Sequence, residues 1–108
     1  MNTFTNEQEM YKILDATHQD PHHILGMHEI VNEDGNKCII VRVFSPVAKN
    51  ITIIDAFNPV NTYQMDKIHD NGFFVCVISG RDDFFRYKLK IDGYYENTWQ
   101  YYDPYQFG

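Results

Sequence analysis

The sequence feature that most constrains the fold is a strict two-residue alternation in the last third of the chain. Between Phe85 and Ile91, aromatic or aliphatic residues alternate with Arg86, Lys88 and Lys90. Successive side chains of a β-strand point to opposite faces of the sheet. The alternation therefore predicts a strand here, with one face in a core and the other face in water.

Shorter runs of β-branched and aromatic residues recur along the chain and are separated by turn sequences. Asp34-Gly35 and Asp92-Gly93 are typical hairpin turns, and the polar stretches at residues 66–70 and 82–83 are expected to be loops. Roughly six to eight short strands at this spacing predict an all-β fold, an immunoglobulin-like β-sandwich. The expected strands cover residues 28–31, 37–44, 51–57, 72–78, 85–91 and 96–102.

The start of the chain has a different period and predicts one N-terminal α-helix. A capping sequence precedes Met10, Ile13 and Leu14, which share one helical face. Asp20-Pro21 ends the helix, because the residue before a proline avoids the helical region. We expect the apolar stripe to be buried against the sheets or against a neighbouring module.

Length, charge and cysteine content define the class of protein. The 108 residues fit one domain, with a helix over residues 1–19 and a sandwich over residues 20–108. Fifteen acidic and nine basic side chains give a net charge of −6, so we expect no nucleic-acid partner. Without a long apolar run or a secretory signal, we expect no membrane partner and a cytoplasmic location. Cys38 and Cys76 are therefore expected to be buried free thiols.

Four of the five histidines form a cluster that invites comparison with a metal site. They are His18, His22, His23 and His28. Their spacing does not favour metal, since no cysteine is near and helical i, i+4 pairing is unavailable across the proline. We expect one or two of them to donate ring hydrogen bonds to backbone, and we expect no metal and no cofactor. The chain has no phosphate-binding loop or nucleophile motif, so no catalytic residue is assigned.

The loop between the helix and the first strand is expected to be a rigid corner. Pro21 fixes one backbone angle, and Gly26 allows a conformation closed to other residues. Ile24 and Leu25 supply apolar anchors. We expect this loop to have a structural role rather than to contact a ligand.

Aromatic residues crowd the C-terminal segment more densely than one strand can bury. Trp99 and Tyr101 lie two apart on the last strand, so their side chains should project to the same face, about 6.5–7 Å apart. Exposed rings suit either the apolar face of a sugar or a partner protein. The candidate sugar-binding residues are Trp99, Tyr101, Tyr95 and Gln100, and the alternative is that this face is the seat of a neighbouring domain.

Several motifs occur in an order that resembles one known family. Residues 20–28 read DPHHILGMH, which resembles a DPHxxLGxH signature. The stretches VRVFSP, FFRYKL and DPYQFG, at residues 41–46, 84–89 and 103–108, resemble further motifs in the same order. Over roughly residues 10–108 the chain resembles the N-terminal region of bacterial glycogen branching enzymes, the 1,4-α-glucan branching enzymes.

The resemblance implies a non-catalytic β-sandwich module related to starch-binding modules. In that family a second module, a catalytic (β/α)8 barrel of the α-amylase superfamily and a C-terminal β-domain follow, and the catalytic acids lie on the barrel. The implied reaction cleaves an α-1,4 bond and transfers the cut chain to a 6-hydroxyl. The implied partners are an α-1,4-glucan such as glycogen and the downstream domains. The module would position the glucan or tune the transferred chain length, and the alternative is an interdomain scaffold without sugar binding.

Overall fold

Eight antiparallel strands form two sheets within the residues that the computed structural model describes, which are 10–11, 24–81 and 83–105. The strands are β1 Gly26–Val31, β2 Lys37–Phe44, β3 Ala48–Asp55, β4 Thr62–Gln64, β5 Asp66–His69, β6 Phe73–Ile78, β7 Tyr87–Gly93 and β8 Thr98–Tyr102. Sheet 1 has the order β1-β2-β6-β5, and sheet 2 has the order β4-β3-β7-β8. The predicted all-β class is confirmed.

The chain alternates between the two sheets one hairpin at a time. The pairs β1–β2 and β5–β6 belong to sheet 1, whereas β3–β4 and β7–β8 belong to sheet 2. The central pairs β2–β6 and β3–β7 join the hairpins within each sheet. The edge strands of sheet 2 are therefore β4 and β8.

A large inner core lies between the sheets. On β7, Tyr87, Leu89 and Ile91 are fully buried while the intervening residues are half-exposed, which confirms the predicted alternation. Ile51 and Ile53 of β3 are equally buried beside them. The inner core consists of Met27, Ile39, Val41, Val43, Ala48, Ile51, Ile53, Met65, Phe74, Cys76, Ile78, Tyr87, Leu89 and Ile91.

Sheet 1 carries a second apolar cluster, here called the outer core, on its other face. Ile40, Phe73 and Val75 supply it from the central strands. Ile24 and Leu25, which precede β1, and Met10 from the N-terminal segment are buried against them. Both faces of sheet 1 are thus covered, and the predicted burial of Met10 is confirmed.

Hydrogen bonds attach the segment just before β1 and the segment just after β8 to the sandwich. The Arg42 guanidinium is buried in the outer core, donates to the Ile24 carbonyl at 3.3 Å, and has a pKa lowered by burial. The Tyr87 hydroxyl donates to the buried Asp103 carboxylate, whose other oxygen accepts the Tyr105 N–H at 2.9 Å. Burial and then the Asp103 charge raise the pKa of Tyr87, so its hydroxyl stays protonated as the donor.

The predicted corner before β1 is held partly by His28. Its ring Nε2 donates to the Leu25 carbonyl at 2.9 Å, which confirms the expected histidine-to-backbone bond. The other three clustered histidines lie outside the described residues, as does the predicted helix apart from Met10 and Tyr11.

The two cysteines are buried free thiols, as predicted, and they lie on opposite sides of sheet 1. Cys76 belongs to the inner core, opposite Val41 of β2. Cys38 lies an odd number of residues from Val41 on the same strand, so it points to the other face. Burial, with a smaller contribution from Asp66, raises the pKa of Cys76 to about 11.

The strand predicted over residues 85–91 begins two residues later than expected. β7 starts at Tyr87, whose partner Asp55 is the last residue of β3. β3 ends there because the Asp55 carboxylate accepts hydrogen bonds from two backbone N–H groups that follow it. Phe85 therefore has no strand to pair with, and its half-buried ring packs against the inner core.

The expectation of a loop at residues 66–70 is wrong. Asp66–His69 forms β5, which pairs with β6 at the edge of sheet 1 with a register shift between Lys67 and His69. Edge strands commonly carry charged residues, which discourage further strand pairing. The polar composition of this segment is therefore compatible with an edge strand. The three-residue strand β4 was also not predicted.

The corner glycine generates a stability prediction. Gly26 has φ of 90°, and a Cβ placed there would overlap the Tyr105 carbonyl oxygen. Gly26→Ala should therefore reduce the free energy of unfolding by about 2–4 kcal/mol, from backbone strain plus overpacking. Denaturant unfolding of the 108-residue chain measures this loss.

Gly35→Ala is the matched control. Gly35 has a similar φ of 81° but no atom within 4 Å of a Cβ, so this variant should lose only about 1–2 kcal/mol of backbone strain. Equal losses in the two variants would contradict the proposed contact between the corner and Tyr105.

Candidate functional site

The β7–β8 hairpin of sheet 2 carries all four predicted binding residues. β7 extends through Gly93, so the turn occupies Tyr94–Asn97 rather than Asp92-Gly93, and the Gly93 N–H donates to the Asn97 carbonyl at 2.7 Å. Tyr95 sits at the tip with 92% of its surface exposed. The tip of the hairpin therefore exposes the aromatic side chains of Tyr94 and Tyr95 to solvent.

The returning strand β8 sends its side chains to two different environments. Trp99 and Tyr101 do share one face, as predicted, and that face points inward, where both rings pack half-buried against the inner core. Burial, followed by the nearby Asp103 charge, raises the pKa of Tyr101. Gln100 and Tyr102 are exposed on the opposite face. The structure thus separates Gln100 from Trp99 and Tyr101.

The exposed side of sheet 2, called its outer face below, carries mostly polar side chains. One cross-strand row contains Gln64, Thr52, Lys90 and Gln100, from four adjacent strands. Within this row the Thr52 hydroxyl donates to the Gln64 amide oxygen at 3.0 Å. The row offers hydroxyl, amide and ammonium groups that can bind a polyhydroxylated ligand.

An aromatic ring flanked by cations adjoins this row. The Lys88 ammonium lies 5.2 Å from the centre of the Tyr102 ring, and the Arg86 guanidinium lies 5.6 Å from it. These contacts hold the exposed ring of Tyr102 on the outer face. The sequence-based candidates omitted Tyr102, although the alternation of Lys88 and Lys90 along β7 already indicated which face is wet.

A groove at the tip of the hairpin lies beside the β2–β3 turn. It has a volume of about 320 Å³ and is lined by Pro46, Val47, Tyr94, Tyr95 and Asn97. Sequence reasoning did not predict this groove, because its two sides come from segments almost fifty residues apart in the chain.

A cation and an acid lie at the opposite end of β3. Arg81 donates to Asp55 at 2.8 Å, and its guanidinium carbon lies 3.8 Å from the centre of the Phe85 ring. Burial alone would raise the pKa of Asp55, but the bonds from Arg81 and two backbone N–H groups outweigh burial and lower it. The Asp55 bond also raises the pKa of Arg81. The two groups are paired with each other at the end of β3.

The described residues contain neither a cluster of metal ligands nor a helix that could span a membrane. No group of three or more His, Cys, Asp or Glu side chains there could hold a metal ion. No described helix is long and apolar enough to cross a membrane.

The fold and the site define a class of protein. A β-sandwich with an exposed aromatic hairpin is typical of a binding or interdomain module. The sequence model of the family described as the alpha-1,4-glucan branching enzyme GlgB, N-terminal domain, matches residues 6–105, and the chain belongs to this family.

Relatives from three bacteria share this region. The 1,4-alpha-glucan branching enzyme GlgB of Protochlamydia amoebophila is 28% identical over 93% of this chain and 12% of its own length. That of Cereibacter sphaeroides is 32% identical over 94% of the chain and 13% of its own length, and that of Trichodesmium erythraeum is 33% identical over 83% and 11%. The chain thus spans about an eighth of the length of these relatives.

The ion pair at the end of β3 generates a pH prediction. Because the folded-state pKa of Asp55 is depressed, its stabilisation is present above the unfolded-state pKa of about 4 and is lost as pH falls through the folded-state value. Asp55→Asn should therefore reduce the free energy of unfolding by about 1.5–3 kcal/mol at pH 7. The difference from wild type should shrink below about pH 4, as measured by urea unfolding across pH.

The control for this variant is Asp34→Asn, whose side chain is exposed at the β1–β2 turn. It should change stability by less than about 0.5 kcal/mol at every pH. An Asp55→Asn loss that stays constant from neutral to acidic pH would show that the charge of Asp55 contributes nothing.

Proposed function

We propose that the chain is a non-catalytic accessory domain of a cytoplasmic 1,4-α-glucan branching enzyme that acts in glycogen synthesis. The family match over residues 6–105 is the observation that carries this proposal. The alternation of hairpins between two sheets supports the immunoglobulin-like class predicted from the sequence. The N-terminal helix stays a prediction.

The domain's role, in this proposal, is to bind an α-1,4-glucan and position it for the enzyme or tune the length of the transferred chain. The contact surface is the outer face of sheet 2 together with the hairpin tip. Tyr95 and Tyr102 supply exposed rings for the apolar faces of glucose, and Gln100 and Lys90 supply groups for its hydroxyls. Stacking fixes the plane of a sugar, and hydrogen bonds fix its rotation within that plane.

Trp99 and Tyr101 remain proposed contributors to this surface. Both rings are half-buried against the inner core, so their packing supports the strand that carries Gln100 and Tyr102. Direct stacking of Trp99 on glucose stays a prediction. The chain has one tryptophan, so a change in its fluorescence on titration with maltoheptaose would report on this residue alone.

A second candidate function is an interdomain scaffold that binds no sugar. Phe57 and Val60, on the β3–β4 loop, are 82% and 83% exposed, and Phe84 is exposed on the loop before β7. A hydrogen bond of 2.9 Å from the Ala56 N–H to the Arg86 carbonyl joins these two loops. Exposed apolar side chains on adjoining loops are typical of a contact surface for another domain.

Retention of the 108-residue chain in a glycogen-containing gel tests the glucan proposal. The double variant Gln100→Ala with Tyr102→Ala removes one amide and one ring from the outer face. The loss of about 0.5–1.5 kcal/mol from each contact should weaken glycogen binding roughly tenfold. The melting temperature should change little, because both side chains are exposed.

Phe57→Ala with Phe84→Ala is the matched control, since it removes two exposed rings from the loops that follow β3 and precede β7, outside the outer-face row. This variant should be retained like wild type. If wild-type chain is not retained by glycogen at all, the scaffold function replaces glucan binding.

A further inference from the structure

The groove at the hairpin tip combines the features of a small-ligand site. Val47 is 61% exposed and Pro46 is exposed beside it on the β2–β3 turn. The rings of Tyr94 and Tyr95 and the amide of Asn97 line the remaining walls. At about 320 Å³, the groove is at the small end of the range for ligand pockets, which begins near 300 Å³. Its size therefore suits one or two sugar rings rather than a long chain.

One aromatic wall of the groove, the Tyr94 ring, is held by a side chain from sheet 1. The Lys67 ammonium donates to the Tyr94 hydroxyl, lies 4.9 Å from the centre of that ring and lies 5.5 Å from the centre of the buried Phe74 ring. A side chain of sheet 1 thereby holds an aromatic side chain from the tip of a sheet 2 hairpin. A preorganised aromatic wall lowers the entropic cost of binding.

The opposite wall is held by backbone hydrogen bonds. The Ser45 N–H donates to the Gly72 carbonyl at 2.8 Å, and the Ala48 N–H donates to the Ser45 carbonyl at 3.2 Å. Pro46 and Val47 lie between these anchors, so the turn that presents them is tied to the β5–β6 connection. Both sides of the groove are thus attached to sheet 1.

The chemistry of the lining selects a neutral amphipathic ligand. The five lining residues carry no formal charge, and the ammonium of Lys67 is engaged with Tyr94. Apolar and aromatic walls with one amide match a sugar ring, which has apolar C–H faces and a rim of hydroxyls. The walls themselves carry no charge that would select an ion, and the positive charge of Lys67 lies behind the Tyr94 ring.

We propose that the tip groove binds one or two glucosyl residues of an α-glucan, separately from the contacts on the outer face of sheet 2. The identity of the sugar rests on the proposed function, whereas the existence of a small-sugar site rests on the groove itself. A short oligosaccharide should therefore occupy the groove, while a long glucan engages the outer face as well.

Titration of the 108-residue chain with maltose, followed by nuclear magnetic resonance, tests this site. Maltose should shift the methyl resonances of Val47 and the side-chain amide of Asn97. Val47→Lys places a long charged side chain in the groove and should raise the maltose dissociation constant about fivefold or more. Tyr95→Ala should weaken maltose binding roughly two- to tenfold, the range expected for one aromatic contact.

Val31→Lys is the matched control, because Val31 is a 58% exposed valine on β1 outside the groove. This variant should bind maltose like wild type. The Gln100→Ala with Tyr102→Ala variant should also keep the maltose shifts, because neither residue lines the groove.

Two results overturn the groove site and differ in what they mean for the function. If maltose shifts no groove resonance, or if Val47→Lys and Val31→Lys behave alike while glycogen retains the chain, the groove site is wrong and the proposed function stands. If neither maltose nor glycogen binds the wild-type chain, both proposals fail together.

Discussion

The burial of sheet 1 on both of its faces is the constraint on which the rest of the structure depends. Ile39 and Val41 of β2 point into the inner core, while Ile40 between them points into the outer core. Six buried side chains of the outer core contribute on the order of 10 kcal/mol, comparable with the entire stability of a domain. Segments of the chain outside the eight strands must therefore cover that face. Met10, Ile24, Leu25 and the half-buried Tyr105 do so.

This coverage leaves the two sheets with different roles. The outer face of sheet 1 is covered, among the described residues, by segments of the chain itself. The outer face of sheet 2 stays polar and exposed, with Lys90 and Gln100 side by side in one row. In the proposed function, ligand binding is therefore assigned to sheet 2 and to the hairpin tip, where Lys67 links the two sheets through Tyr94.

Sequence reasoning succeeded where a pattern is local and failed where contacts are distant. The alternation at Tyr87–Gly93 and the double-faced strand Lys37–Phe44 follow directly from residue order. The β5 strand was missed because an edge strand is recognised by its partner rather than by its composition. Trp99 and Tyr101 were correctly placed on one face of one strand, but the register of β8 against β7, which shows that this face meets the core, does not follow from residue order. The tip groove was not predicted because Val47 and Tyr94 come together only in the folded chain.

We propose that sheet 2 and its β7–β8 hairpin form the glucan-binding side of this domain. A crystal structure of the 108-residue chain with bound maltoheptaose tests it most directly. We expect glucose rings along the outer face of sheet 2, in contact with Gln100 and Tyr102 and reaching Tyr95 at the tip. Sugar bound instead against Phe57 and Phe84, or a chain that binds no maltoheptaose in solution or in the crystal, would contradict it.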